Sequence, residues 1–124
     1  MDCIFCKIVA GEIPATLVGE TEHAIAFNDI SPQKPVHILV VPRHHHTDVA
    51  DLAFNDPTAL VDLIQLGSNL AREHSTGSFR LTFNTGSEAG QTVFHAHGHI
   101  TSTTPSGLAS TSADEKVSGP VDSE

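Results

Sequence analysis

Basic residues are scarce in this chain. Its 124 residues carry six Lys and Arg against fifteen Asp and Glu, a formal net charge of −9. Phosphate backbones and anionic lipid surfaces are held by arrays of Lys and Arg, so no nucleic acid and no membrane surface is expected as a partner. A small nucleotide remains open, because backbone N–H groups can hold its phosphates. No apolar run is long enough to span a bilayer. The opening MDCIFCKIV lacks both a basic start and a small-residue cleavage site, so it does not read as a signal peptide, and a cytoplasmic location is expected. With only two cysteines, Cys3 and Cys6, the chain cannot be a disulfide-framed secreted module. The length sets a single domain with a modest core.

Histidine, by contrast, is plentiful, with nine in all. Three of them fall in Gln91 to Ser102, QTVFHAHGHITS, at i, i+2 and i+4. Side chains alternate along a strand, so His95, His97 and His99 would share one face there, whereas a helix would scatter them. Thr92, Val93, Phe94 and Ile100 favour the strand, with Gly86 and Gly90 in the turn before it. Gly98 inside it marks a close approach of backbone or ligand. Packing three imidazoles together would leave several polar nitrogens to satisfy. Metal binding, nucleophilic catalysis and proton transfer are the alternatives, and histidine serves all three.

From the N-terminus, Cys3-Ile-Phe-Cys6 has three readings: half of a zinc site, a redox pair, or two incidental buried thiols. Lys7 to Gly11 continues as a short helix or turn. Strands are expected at Thr16 to Gly19 and His23 to Asn28, joined by a turn at Glu20 to Glu22, with His23 at the surface. Asp29 opens a loop fixed by Pro32 and Pro35, where its carboxylate is a candidate ligand edge. Val36 to Val41 is the most apolar strand, interrupted by His37. That ring either bonds a backbone carbonyl on a helix-covered face or supports the later histidines. Arg43 to His46 is a loop, with His46 in solvent. Thr47 should cap a short helix to Ala53. Asp56 and Pro57 are a good cap and first residue for the main helix, whose stripe of Leu60, Leu63, Ile64, Leu66 or Gly67, Leu70 and Ala71 runs to about Glu73. Ser78 to Asn84 alternates as a half-buried strand. Thr85 to Gly90 lacks the lysine of a phosphate loop. After Ile100 the composition shifts: ten of the last 24 residues are Ser or Thr. A folded unit over 1–102 and a flexible Ser/Thr-rich acidic tail over 103–124 are expected.

The CxxC, the DISP loop, the VHILVVPRHH strand and loop, the FRLTFN strand and GQTVFHAHGH together resemble the histidine triad (HIT) family of nucleotide hydrolases and transferases, closest to its Hint-like purine nucleoside phosphoramidases. The likeness covers roughly residues 3–102. The resemblance implies an α+β HIT-like fold, a mainly antiparallel five-stranded sheet with one main helix and short N-terminal helices. It implies an enzyme acting at the α-phosphate of a purine nucleotide, with His97 as the nucleophile that becomes a nucleotidyl-histidine. His99 then matches a phosphate-contacting position and His37 a relay. Asp29 and Ile30 match the ribose and base loop. Asn84, Gly90, Gln91 and Thr92 match the phosphate-binding turn and its supporting asparagine. A structural zinc on Cys3, Cys6, His45 and His95 is implied for members with this CxxC, and the resemblance also implies a homodimer formed through the main helix and a central strand, making one continuous sheet. The chain departs from the family at Ala89, at Gly98 and Thr101 in the triad motif, and in having no Trp at all, which leaves the leaving-group side open. A dinucleoside polyphosphate hydrolase and a non-catalytic nucleotide-binding regulator are the alternatives.

Overall fold

A computed structural model describes residues 3–106. The expected tail therefore lies outside the described residues from 107 onward. Its first four residues do not behave as a tail. Pro105 bridges Ser75, Thr104 O accepts from Thr76 N, and Ser106 N donates to His74 O, so the folded unit runs at least to Ser106.

The elements in order are α1 (Ile4–Val9), β1 (Leu17–Glu20), β2 (Ala24–Asn28), β3 (Val36–Pro42), α2 (Val49–Asn55), α3 (Pro57–His74), β4 (Arg80–Phe83), a single 3₁₀ turn (Ser87–Ala89) and β5 (Gly98–Ser102). The five strands make one antiparallel sheet in the order β1-β2-β3-β5-β4. This is the expected α+β architecture.

Every residue of β3 is buried because both sheet faces are covered. Val36, Ile38 and Val40 point into the larger core with Leu63, Leu66 and Leu70 of α3. Leu39 and Val41 point the other way, into a smaller core with Cys3 and Phe5 of the N-terminal segment. Strand alternation puts His37 on that second face, which settles its two readings in favour of the histidine cluster.

The α3 stripe is spent on the sheet. Asp56 accepts from Ala59 N as the N-cap and Pro57 follows it, as expected. Gly67 lets the helix approach closely, since a Cβ there would lie 3.0 Å from Ile100 Cδ1. The short helix differs from expectation: Asp48, not Thr47, caps α2 by accepting from Asp51 N, while Thr47 N donates to Asp51 Oδ2. A carboxylate in this geometry is a better acceptor than a hydroxyl and also favours the helix N-terminus.

The histidine strand is shorter than its sequence suggests. Regular pairing begins at Gly98, which opposes Val40 and Phe83; residues 91–97 are irregular. Pro42 has no N–H to extend the ladder, and its carbonyl takes the His95 ring instead, at 2.9 Å from Nε2. Backbone pairing is replaced by a bond from Ala96 N to His46 O.

Candidate active site

Two centres share the α1 face of the sheet. The first gathers Cys3, Cys6, His45 and His95, whose ligand atoms all lie within 4.8 Å of one another. Cys3 Sγ is 3.3 Å from His95 Nδ1; Cys6 Sγ is 3.3 Å from His45 Nδ1 and 3.5 Å from His95 Nδ1. With Zn–S near 2.3 Å and Zn–N near 2.0–2.1 Å, a tetrahedral ion sets neighbouring S and N donors roughly 3.5 Å apart, so the four donors fit zinc. The tautomer fits as well. His95 Nε2–H donates to Pro42 O, which leaves the Nδ1 lone pair for a metal. Burial pushes His95 down to about 4, which keeps the ring neutral. Burial, and then the neighbouring Cys3 thiol, raise Cys6, as expected for two thiols brought together without a cation to stabilise the thiolates. The Cys6 N–H also donates to Cys3 Sγ, so the CxxC turn itself orients a ligand.

The second centre is a cavity of ≈ 300 Å³. Ile4, Phe5 and Ile8 of α1 form one wall. Asp29 and Ile30 stand at the rim, and His97, His99 and Thr92 supply its polar groups. Ile30 is 95% exposed. A large apolar side chain so placed at a cavity mouth is suited to cover a flat ligand.

His97 is 8% exposed, and its Nδ1 lies 2.7 Å from His95 O. That bond puts the proton on Nδ1 and the lone pair on Nε2. Burial lowers its pKa, against the raising effect of the carbonyl bond, so the ring is held in the neutral, nucleophilic form. His37 Nδ1 accepts from Gln33 N at 2.9 Å, so the neutral ring carries its proton on Nε2. That Nε2 is 3.0 Å from His99 Nδ1 and 3.3 Å from Asp29 Oδ2. His99, accepting at Nδ1, then presents Nε2–H as a donor. Asp29, His37 and His99 lie close enough to suggest a second metal, but His37 has its acceptor nitrogen committed to a backbone amide and no lone pair left for an ion. The cluster is a hydrogen-bond chain.

Phe5 joins the two centres. Its ring packs edge-on against His95 at 5.9 Å and against His97 at 5.1 Å between centroids. His97 in turn touches His99 at 5.0 Å. The three histidines of the motif thus stay together although only His99 lies in regular strand, and His95 serves the metal centre while the other two serve the cavity.

Three predicted residues lie back from the cavity. Gln91 is buried and spends its amide on Gly86 N, Thr47 O and Val93 O, so it holds the turn in shape. Asn84 Nδ2 donates to Ala89 O, and Gly90, at φ 99°, packs beside the Asn84 amide. Thr92 alone of this turn lines the cavity. Sequence reasoning missed the α1 wall and the Gln33 amide. The first was signalled by three large apolar residues next to the CxxC; a backbone donor leaves no trace in side-chain pattern. His46, expected in solvent, is half-buried, with Nδ1 3.7 Å from Asp51 Oδ2.

A family model described as scavenger mRNA decapping enzyme C-term binding matches residues 2–113. An uncharacterised HIT-like protein of Synechocystis is 41% identical over 100 residues, 80% of this chain and 88% of that protein. The chain belongs to the HIT family. Among solved structures, a HIT family hydrolase from Clostridium thermocellum superposes with a TM-score of 0.76 at 37% identity, covering 81% of this chain and 89% of that one. A histidine triad protein from Clostridium difficile gives 0.75 at 42% identity, covering 82% and 90%. The HIT triad is thus His95, His97 and His99, set on a fold shared with hydrolases of the family. Among the described residues no helix is long and apolar enough to cross a membrane.

Proposed function

We propose that this HIT protein is a nucleotide hydrolase or transferase that acts at the α-phosphate through a nucleotidyl-histidine on His97, with purine nucleoside phosphoramidates as its substrates. The observation that carries the reading is the neutral His97 ring, its Nδ1–H tied to His95 O and its other nitrogen unspent in a nucleotide-sized cavity. The base lies against the apolar wall of Ile4, Phe5 and Ile8 with Ile30 over it, and the Asp29 carboxylate accepts from the ribose hydroxyls. His97 Nε2 forms a bond to phosphorus while the bond to the leaving nitrogen breaks. The electron pair stays on that nitrogen, and a proton reaches it from the cavity. The His99 Nε2–H, backed by His37 and Gln33 N–H, and the Thr92 hydroxyl meet the phosphoryl charge. Water then attacks the same phosphorus, the N–P bond breaks, and the pair returns to His97.

The four-donor centre holds zinc as a structural cross-link in this reading. Its thiolates suit a reducing compartment such as the cytoplasm. A homodimer also fits. Strand β4 ends the sheet, and a second copy pairing along it would continue the sheet across a two-fold axis. The rival in which every histidine is a metal ligand is disfavoured, because His97 lies outside the four-donor cluster.

Mixing the protein with adenosine 5′-phosphoramidate and recording intact mass tests the proposal. A nucleotidyl adduct on His97, absent from His97→Ala, is the expected result. Tight nucleotide binding with neither adduct nor turnover would leave a regulator on the same scaffold.

A further inference from the structure

One proton stands between two acceptors beside the nucleophile. His37 Nδ1 accepts from Gln33 N at 2.9 Å, so the neutral ring has a single N–H, on Nε2. His99 Nδ1 lies 3.0 Å from that nitrogen and Asp29 Oδ2 lies 3.3 Å from it. The imidazole is the nearer acceptor. A carboxylate, however, makes a hydrogen bond about twice as strong as a neutral acceptor does, so the longer contact competes. Little water levels the two bonds, because the His37 side chain is 4% exposed and that of Asp29 19%.

The DISP loop holds this carboxylate in place. Asp29 Oδ1 accepts from Ser31 N at 2.8 Å, and Asp29 N donates to His37 O at 3.0 Å. Asp29 also lines the cavity. From it the contacts run to His37, to His99 at 5.3 Å between ring centroids, and on to His97 at 5.0 Å. A sugar diol that donates two O–H groups to Asp29 lowers what the carboxylate offers His37. The Nε2–H then goes wholly to His99 Nδ1, and the His99 proton is fixed on Nε2, where it meets the phosphoryl oxygen. With the carboxylate vacant, the His37 proton is drawn toward Asp29. His99 then loses part of the bond that sets its tautomer and its ring.

We propose that Asp29 is a positioning residue as well as a sugar ligand: a vicinal diol bound to its carboxylate returns the His37 proton to His99, so that ribonucleotides are selected in the rate of attack on phosphorus and not in binding alone. The rate half rests on the nucleotidyl-histidine reading, whereas the coupling half rests only on the hydrogen-bond chain. No proton leaves His37 in this device. Its hydrogen bond is redirected, and the phosphorus–nitrogen bond breaks as before. A residue that merely grips the sugar stabilises ground state and transition state equally, which shows in KM with kcat unchanged. One that also sets the donor to the phosphoryl oxygen acts where charge develops, which shows in kcat.

The test times single-turnover nucleotidylation of His97 at saturating protein, which removes affinity from the comparison. The substrates are adenosine 5′-phosphoramidate and its 2′,3′-dideoxy analogue, in wild type, Asp29→Asn and Asp29→Ala. In wild type the dideoxy substrate should react at least roughly fivefold more slowly. In both variants it should react faster than in wild type, and the two substrates should come within about twofold of each other. A residue that only holds the sugar cannot speed a substrate lacking the hydroxyls it holds. Equal wild-type rates on the two substrates overturn the proposal, as does a dideoxy rate that neither variant raises. Equal acceleration of both substrates also overturns it, because that marks relief of charge repulsion. Asn keeps an acceptor for Ser31 N should Ala loosen the loop, and the wild-type comparison needs no variant. Long-range ¹H–¹⁵N spectra of the histidine rings read the coupling without chemistry. Adenosine should move the His99 nitrogens toward the Nε2–H tautomer, and 2′,3′-dideoxyadenosine should not. If wild type reacts with neither phosphoramidate, the nucleotidyl-histidine reading has failed, and the spectra alone decide the coupling; identical ring shifts with both nucleosides overturn it.

Discussion

At the scale of single residues, position and protonation decide what each histidine does. His95 gives its Nε2 proton to Pro42 O and so turns Nδ1 to the thiols; His97 gives its Nδ1 proton to His95 O and so turns Nε2 outward. Two neighbouring triad members therefore hold opposite tautomers, each set by one backbone carbonyl. His97→Ala should lower turnover at least tenfold, because removing a covalent nucleophile removes the two-step path, while the melting temperature stays near wild type. A variant that keeps more than about a tenth of the rate would unseat His97 as nucleophile. Gly98 carries a structural demand of a different kind. A Cβ there would lie 2.9 Å from Leu81 Cδ1 and 3.0–3.1 Å from the Phe83 ring. The leucine tip can turn aside, but the ring is packed against the core, so Gly98→Ala should cost about 1–3 kcal/mol in urea unfolding. In Gly67→Ala the close neighbour is the flexible end of Ile100, and a helix-propensity gain of ~1 kcal/mol opposes the strain, so that change should be much closer to neutral.

At the scale of elements, α1 is the piece on which both centres depend. It is six residues long, too short to be stable alone, and Cys3 caps it while Cys6 sits within it. A metal joining these thiols to His45 and His95 would clamp the helix that forms the cavity wall. Wild-type protein should therefore carry about one zinc per chain by elemental analysis. Chelation, or Cys6→Ser, should lower the melting temperature and weaken nucleotide binding several-fold, even though no ligand of the metal touches the nucleotide. If nucleotide affinity is indifferent to metal content, α1 is held by apolar packing alone. The start of α2 depends on a carboxylate. The bond from Thr47 N, foremost, lowers the Asp51 pKa below the ordinary carboxylate value. The folded pKa lies below the unfolded one, so this stabilising contribution is complete above the unfolded value and is lost as pH falls toward the folded one. Melting curves from pH 7 to pH 3 should show a smaller acid loss in Asp51→Asn than in wild type.

At the scale of the whole molecule, charge and edges set the partners. A chain of net −9 should show no measurable binding to duplex DNA at physiological salt in fluorescence anisotropy. The sheet ends at β4, so light scattering should give twice the 13.1 kDa chain mass if a second copy extends it, and the single-chain mass otherwise. The two faces of the sheet divide the work. α3 builds the main core on one face, and α1 with the DISP loop builds the site on the other.

The order of elements was legible in the sequence because each has a local cause. The Asp56-Pro57 start of α3, the alternation in β4 and the unbroken apolar run of β3 are patterns of period and capping, and these act over a few residues. The CxxC by itself suggested half of a zinc site and His37 a candidate support for the later histidines, but the complete donor set and the relay role of His37 were legible only through likeness to a family. They come from residues up to 92 positions apart, as in Cys3 and His95, and no local spacing encodes that meeting. Tertiary structure alone decided the rest. It stopped β5 at Gly98, because Pro42 offers no N–H; it spent Gln91 on three backbone groups; and it made α1 a wall of the site. Each of these is a question of which backbone donor, acceptor or face is still unclaimed once the strands have paired, and that is known only after the chain has closed on itself.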